Sequence, residues 1–262
     1  MAAAEVDAAR QRMRMTLAVI AAVVIGVIVV VLLSRDGDDD TTPAATETET
    51  PDDASVDEPD PCPAEDGSSP RTIDFTAAPP MCIDPAQTHV AVFDTSEGEI
   101  RVTLDTENTP NTVNNFVTLA RWGYYDGTTI HRTDPSIDII QGGSPRTEDA
   151  ADPGPGYTIP DEPTFDTDGA GNPIDGPYRY VPGQLVMARS RGIDSSGAQY
   201  FFTTGPNAAL LDGQGIYIVF GTTDDAGLGV LQQIIGLHEA GGSLGGAPSR
   251  TVTINSVAIE VS

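Results

Sequence analysis

The apolar and polar positions divide the chain into two parts with different patterns. Residues 16–33, TLAVIAAVVIGVIVVVLL, form an apolar run without a charged side chain, and residues 36–61 behind it contain no aromatic residue. From about residue 89 onward, apolar side chains recur in short alternating segments separated by Gly, Pro and Asp. The first pattern is typical of a membrane span, and the second of short β-strands joined by turns.

The second part predicts many strands and two helices. The segment TPNTVNNFVTLARWG predicts an amphipathic helix with Thr109 as N-cap, Pro110 at its first position and Gly123 at its end. Residues 228–240 predict a second helix, and residues 144–180 a long stretch rich in loops. This mainly β pattern favours a closed antiparallel barrel, whose packed interior leaves function to its outer face or loops. The predicted strands are HVAVFDT, IRVTLDT, TTIHRT, IDIIQG, GQLVMAR, AQYFFTT, YIVFGT and TVTINSVAIEV.

The apolar run predicts an uncleaved transmembrane anchor at residues 16–33. As a helix it would rise about 27 Å, close to a hydrocarbon core of about 30 Å. Three Arg residues precede it within residues 1–15, whereas Arg35 and then four Asp residues follow it. The positive-inside rule therefore predicts a cytoplasmic segment 1–15 and an extracytoplasmic remainder, in a single-pass protein of the cell membrane. The alternative is a cleaved signal peptide, whose apolar core is normally shorter and ends at a small-residue site.

Residues 34–61 predict a disordered stalk, because an acidic Thr- and Pro-rich segment cannot bury enough apolar area to order itself. An acidic interaction tail is the alternative. The whole chain carries 39 acidic residues against 13 basic ones, all of them Arg, for a net charge of −26. An acid excess of this size repels nucleic acid, so we expect no such partner.

The two cysteines, Cys62 and Cys82, bracket most of an N-terminal extension, residues 62–88. In an exported protein this pair suits a disulfide, and two unpaired thiols are the alternative.

Other chemical motifs are weak. The segment GGSLG at 241–245 matches a serine-hydrolase pattern but lacks the strand before and the helix after the Ser that a nucleophile elbow needs. The segment DTDGAGNPID at 166–175 lacks the ligand order of a calcium loop, so an ordinary turn is favoured. The three His residues show no metal-ligand spacing, and we expect neither a metal site nor a cofactor.

Four ordered segments carry a family resemblance: YYDGTTIHRTDPSIDIIQGGSP, GPGYTIPDE, PGQLVMARSRGIDSSGAQYFFTTG and LLDGQGIYIVFGTT. Together they resemble the cyclophilin family of peptidyl-prolyl cis-trans isomerases, in a membrane-anchored bacterial form. The resemblance covers residues 89–262 and implies a closed eight-stranded antiparallel barrel capped by two helices. It implies action on X-Pro bonds of exported proteins, without a cofactor, by a monomer whose partners are proline-containing polypeptides.

The resemblance also implies roles for individual residues. Arg132 takes the catalytic position and stabilises the twisted amide, Gln141 holds Arg132 or the peptide backbone, and His131 is structural. The apolar proline pocket is formed by Phe201, Ile139 and Leu211, with Tyr217 as a further pocket residue. The adjacent peptide groove is lined by Gln199 and Ala188. For Arg132 the alternative is an ordinary ion pair with one of the many acids, and for Phe201 and Ile139 it is barrel core.

The chain departs from the family pattern at several positions. One extra residue lies between Arg132 and Gln141, which suggests a β-bulge. Arg189 replaces the Asn that often follows Met-Ala, and Tyr217 stands where the family often has His. An altered pocket supports a second hypothesis, a cyclophilin-like module that binds Pro-containing peptides with weak turnover.

Overall fold

The computed structural model describes residues 62–262. Outside the described residues lie three predicted segments: the cytoplasmic segment 1–15, the anchor 16–33 and the stalk 34–61. Within residues 62–262, no helix has both the length and the apolar character needed to cross a membrane. The anchor and the stalk therefore stay predictions.

Short antiparallel strands dominate the described residues, as the alternating pattern predicts. The helices are α1 (Pro110–Arg121), α2 (Asp225–Ile235) and a 3-10 helix (Pro206–Leu211). The strands are β1 (His89–Thr95), β2 (Gly98–Leu104), β3 (Arg132–Asp134), β4 (Ile139–Gly142), β5 (Asp166–Thr167), β6 (Pro173–Asp175), β7 (Gln184–Arg189), β8 (Ser196–Thr203), β9 (Val219–Thr223), β10 (His238–Ala240), β11 (Gly246–Pro248) and β12 (Ile254–Val261).

The main sheet has more strands than predicted, and its ladder is open. Ten strands follow the order β10-β11-β3-β4-β8-β7-β9-β2-β1-β12, while β5 and β6 form a separate hairpin. Within the described residues no strand ladder joins β10 to β12, so the prediction of a closed eight-stranded barrel is wrong in both count and closure. The mainly β, antiparallel character is confirmed.

A short bridge links two segments near the ends of this order. The isolated pair Thr129–Thr253 connects the chain before β3 to the chain before β12. Backbone hydrogen bonds from Gly127 N to Ile254 O (2.8 Å) and from Ile130 N to Val252 O (2.9 Å) flank this pair. This contact brings the two segments together without forming a named strand on either side.

Helix α1 begins and ends where its sequence predicts. Thr109 is its N-cap residue and Pro110 its first position, but the Thr109 side chain makes no capping hydrogen bond. The carboxylate of Glu162 instead accepts from the backbone N–H groups of Asn111 (3.0 Å) and Thr112 (2.7 Å). A negative charge at a helix N-terminus is favourable, because it satisfies unpaired N–H groups and complements the helix dipole.

Helix α2 lies earlier than predicted, at Asp225–Ile235 rather than 228–240. Asp224 is its N-cap and accepts from Gly227 N at 2.9 Å. Residues 238–240 form β10 and pair with β11. The apolar run alone could not show this boundary, because a capping Asp and a downstream strand partner decide it.

The N-terminal extension is closed by a disulfide and hydrogen-bonded to helix α1. The predicted disulfide between Cys62 and Cys82 is present, with the two Cα atoms 5.4 Å apart. Asn114 of α1 accepts from Cys82 N (2.7 Å) and donates to Pro80 O (2.8 Å). The extension is thus anchored on the first helix.

Candidate active site

Alternation along the strands separates two apolar clusters. Tyr200, Phe202 and Ile140 belong to the main core, together with Phe93 and Phe116. Their strand neighbours, Phe201 and Ile139, belong to a second, smaller cluster with Tyr180, Val186 and Ala208. Because successive side chains of a strand point to opposite faces, the second cluster lies on the other face of the sheet. Phe201 and Ile139 are therefore not part of the main core.

Strand register places the predicted functional residues in one row. Arg132 of β3 stands opposite Gln141 of β4, which stands opposite Phe201 of β8. Phe201 in turn pairs with Val186 of β7. Residues directly opposite one another share a face of the sheet, so a cation, an amide, an aromatic ring and an aliphatic side chain lie side by side.

This row lies in a cavity of about 370 Å³. The structure brings all eight residues predicted for catalysis and peptide binding to its lining. They are Arg132, Ile139, Gln141, Ala188, Gln199, Phe201, Leu211 and Tyr217. Their roles in catalysis and binding remain predictions.

The apolar floor of the cavity is formed by Phe201, Ile139 and Leu211, and neighbouring side chains hold it in place. Phe201 and Ile139 are each only 3% exposed, and the Phe201 ring meets the Tyr217 ring edge-to-face at 5.6 Å. Tyr180 fixes the backbone of Tyr217 twice, since its hydroxyl accepts from Tyr217 N (2.8 Å) and donates to Tyr217 O (3.0 Å). A preformed apolar floor suits a small ring such as that of proline.

Three acceptors fix the Arg132 guanidinium at the edge of this floor. Its Nη1 donates to Gln141 Oε1 (3.0 Å), its Nη2 to Asp134 Oδ2 (3.0 Å), and its Nε to Leu244 O (2.6 Å). A guanidinium has five N–H donors, so one on each Nη remains available to a ligand. Arg132 does form the ion pair considered as its alternative, with Asp134, and Arg132 itself also lines the cavity.

Sequence reasoning missed two of these partners. Asp134 could have been found, because it follows Arg132 by two residues and so shares its face of the strand. Burial acts to raise the pKa of Asp134, but hydrogen bonds from Ser136 and Arg132 outweigh it, so this pKa lies below its ordinary value. The Leu244 carbonyl could not have been found, since it comes from a loop 112 residues away. That loop contains GGSLG, which lies between β10 and β11 and is no nucleophile elbow.

A chain of amides extends from Arg132 along the cavity. Gln141, which is 7% exposed, donates through Nε2 to Gln199 Oε1 at 2.9 Å. Gln199 Nε2 reaches Ala150 O at 3.4 Å. Gln141 therefore contacts Arg132 on one side and Gln199 on the other, which fixes the orientation of its own side chain.

The extra residue between Arg132 and Gln141 makes no bulge. The pairs Arg132–Gln141, Thr133–Ile140 and Asp134–Ile139 follow one another without a register shift. The extra length is taken up in the connecting loop, residues 135–138, where Asp138 adopts a positive φ of 47°. Asp138 then accepts from Asn207 N (2.7 Å) at the start of the 3-10 helix that carries Leu211.

His131 lies next to Arg132 but does not line the cavity. Both of its ring nitrogens are buried without a hydrogen-bond partner. Burial and, to a smaller extent, Arg132 lower the pKa of His131 to about 4, against the opposing effect of Asp149 and Asp152. The ring is therefore neutral at pH 7, as a structural side chain would be.

We expect His131 to make the fold sensitive to acid. Its folded-state pKa of about 4 lies below the ordinary 6.5, so its contribution to stability is complete above pH 6.5 and is lost as the pH falls toward 4. The full loss is about 3 kcal/mol. Urea unfolding of the wild type and of His131→Leu at several pH values measures it, and the difference at pH 7.5 gives the packing cost alone. Parallel pH curves for the two proteins would contradict this prediction.

Comparison with known proteins agrees with this geometry. Residues 90–259 match the family described as "Cyclophilin type peptidyl-prolyl cis-trans isomerase/CLD". A protein of Mycobacterium tuberculosis named "Probable peptidyl-prolyl cis-trans isomerase B" is 37% identical over 180 residues, which are 68% of this chain and 56% of that protein. A "Peptidyl-prolyl cis-trans isomerase" of Synechococcus elongatus is 36% identical over 135 residues, which are 52% of this chain and 80% of that protein.

Among solved structures, a Cryptosporidium parvum protein titled a cyclophilin type peptidyl-prolyl cis-trans isomerase is 24% identical, with a TM-score of 0.49. The alignment covers 66% of this chain and 98% of that one. The matched segment spans little more than half of the mycobacterial relative. The family match covers most of this chain and contains all eight cavity residues predicted from the sequence. The chain belongs to the cyclophilin-type peptidyl-prolyl cis-trans isomerase family.

Proposed function

We propose that this protein is a peptidyl-prolyl cis-trans isomerase, and that Arg132 is its catalytic residue. One observation carries the proposal: Arg132 is fixed by three acceptors beside a preformed apolar floor and keeps two N–H donors for a ligand. The names of the bacterial relatives give independent support. The substrates are polypeptides that contain an X-Pro bond.

The reaction needs positioning rather than covalent chemistry. Rotation about the amide meets a barrier of about 18–20 kcal/mol, because conjugation gives the C–N bond double-bond character, and unaided X-Pro isomerisation takes tens to hundreds of seconds. As the bond twists, conjugation is lost and the nitrogen lone pair becomes a hydrogen-bond acceptor. A donor fixed at that place stabilises the twisted state more than either planar state, which is the condition for catalysis.

Different cavity residues contact the prolyl ring, the peptide backbone and the twisting amide. The floor of Phe201, Ile139 and Leu211 holds the prolyl ring, while the amides of Gln141 and Gln199 lie along the peptide backbone. The Arg132 guanidinium donates to the twisting amide. Because its Nε and one hydrogen of each Nη are already bound, it has little freedom left to lose when substrate arrives. Lowering the barrier by about 7 kcal/mol accelerates the reaction about 10⁵-fold.

An isomerisation assay tests the proposal directly. The purified protein, at a concentration far below that of an X-Pro peptide, should accelerate cis-trans exchange measured by NMR exchange spectroscopy. A titration of the same peptide measures binding in parallel. Binding without acceleration would reject the isomerase and favour the alternative, a cyclophilin-like module with weak turnover. Absence of both would reject the two together.

We further propose that the protein acts outside the cytoplasm as a membrane-anchored monomer. The apolar run 16–33 is preceded by three Arg residues and followed by Arg35 and four Asp residues, which supports an anchor whose N-terminus is cytoplasmic. The Cys62–Cys82 disulfide supports an oxidising compartment. Such a protein would assist the folding of exported polypeptides. Added protease should then degrade residues 62–262 on intact spheroplasts, and full protection would reject this orientation.

A further inference from the structure

The N-terminal extension contacts residues that line the cavity of Arg132. Residues 71–75, here called the strap, first run along the end of α1. Arg71 Nε donates to Gly123 O (3.0 Å), and Thr72 N donates to Trp122 O (2.9 Å). The disulfide between Cys62 and Cys82 closes the segment that contains the strap. The strap therefore lies within a closed loop and against the end of a helix.

The strap then contacts one side of the cavity, here called the wall, which is formed within residues 150–158. Phe75 N donates to Pro155 O at 2.9 Å, and the Phe75 ring meets the Tyr157 ring edge-to-face at 6.2 Å. Between these two contacts Gly156 has a φ of +104°, and a Cβ there would lie 2.3 Å from Phe75 O. The backbones approach so closely that the wall requires glycine at this position.

A second group of contacts joins the strap to the chain just before the wall. Arg146 Nη2 donates to Ile73 O (2.7 Å) and forms an ion pair with Asp74. The backbone N–H groups of Arg146 (2.8 Å) and Thr147 (3.1 Å) both donate to Asp152, which lines the cavity. The strap thus contacts the wall directly through Phe75 and indirectly through Arg146.

The wall needs such support, because it has no strand of its own. Within residues 62–262 it meets the sheet only along β8, through the isolated bridge between Ile159 and Ser196 and the close approach of Gly197 and Gln199. Tyr157 donates to Asn115 of α1 at 2.7 Å. The wall also receives the far end of the amide chain, where Gln199 reaches Ala150 O. A displaced wall would therefore change the part of the cavity away from the apolar floor.

We propose that the strap positions the wall for binding the peptide beyond the prolyl ring, and that Phe75 is the positioning residue. The proposal rests on the proposed function, since it concerns the substrate of the same cavity. A wall held in its bound conformation does not have to be ordered when peptide binds, so the strap improves affinity. A ligand that reaches only Arg132 and the floor gains nothing from it.

Two peptides and three variants separate this role from a general effect on stability. One peptide is a blocked Ala-Pro dipeptide, and the other carries the same Ala-Pro within a longer chain extended on both sides. Phe75→Ala should raise the Kd and KM of the longer peptide about tenfold, which corresponds to about 1.4 kcal/mol. The Kd of the dipeptide and the kcat of both peptides should stay the same. Phe75→Leu, which keeps apolar bulk, should restore most of the affinity.

Asp66→Ala is the control, because Asp66 lies exposed in the same disulfide-closed segment but outside the strap, and its carboxylate accepts from the nearby Ser68 N. It should leave both peptides unchanged. An equal loss for the two peptides in Phe75→Ala, or no loss for either, would overturn the proposal. If the wild type binds the longer peptide without isomerising it, the isomerase proposal is rejected. The proposal about the strap is then tested by the Kd values alone. Isomerisation with no selective loss in Phe75→Ala would reject the strap alone.

Discussion

Replacement of Arg132 by Ala is expected to lower kcat/KM for an X-Pro peptide by about 100-fold or more, the usual cost of removing a preorganised transition-state donor. Arg132→Lys should lose nearly as much. A Lys ammonium lacks the planar fork that places separate donors on Gln141, Asp134 and Leu244 while leaving two for the ligand. NMR exchange measurements on the three proteins give kcat and KM for each.

A control variant separates an effect on catalysis from an effect on stability. Arg101→Ala is the matched control, because Arg101 lies on the surface, 41% exposed, in ion pairs with Glu99 and Glu260. It should keep wild-type activity. The loss in Arg132→Ala should appear in kcat rather than in KM, since the proposed contact forms only in the twisted state. If Arg132→Ala keeps kcat within about threefold of the wild type while remaining folded, Arg132 is not the catalytic residue.

The sequence predicts the residues of the cavity better than their arrangement. The family resemblance of the four ordered motifs was sufficient to name Arg132, Gln141 and Phe201, and each of them falls in a segment with a strand pattern. Their alignment in one row depends on the register of β3, β4 and β8. Register follows from turn geometry and from which face is buried. Here a four-residue loop absorbed the extra residue that the spacing had suggested as a bulge.

Contacts between distant parts of the chain were out of reach of the sequence pattern. The Leu244 carbonyl and the strap both use backbone groups, which every residue carries, so no residue type marks them. The sequence pattern likewise does not indicate that Glu162 caps α1, because it lies 50 residues from Thr112. The larger strand count has a related origin: β10 and β11 take up residues that helical spacing had placed within or just after a helix.

Arg189, which departs from the family pattern, forms a buried ion pair with Asp161. The two side chains are 3% and 1% exposed, and they meet through two hydrogen bonds of 3.1 and 3.0 Å. Arg189 also donates to Ile216 O (3.0 Å) and to Gly192 O, while Asp161 accepts from Asp194 N (2.9 Å). One ion pair therefore joins three loops, and Arg189 itself lines the cavity.

Breaking this pair from one side is expected to cost about 3–5 kcal/mol in the free energy of unfolding, because the remaining charge stays buried without a partner. Arg189→Met and Asp161→Asn should each show the loss in urea unfolding at pH 7. The double variant, Arg189→Met with Asp161→Asn, should lose less than the sum of the single changes, since neither charge is then left alone. Arg101→Ala, which breaks an exposed pair, should cost less than about 1 kcal/mol.

The same variants should also weaken substrate binding. Arg189 donates to the Ile216 carbonyl, and the next residue, Tyr217, lines the cavity. We expect a higher KM with a smaller change in kcat, the opposite of Arg132→Ala. Single variants that unfold within about 1 kcal/mol of the wild type would show that water or a rearranged loop compensates the unpaired charge. In that case Arg189 would not be the element that ties these loops together, and the cavity floor would depend on Tyr180 and the sheet alone.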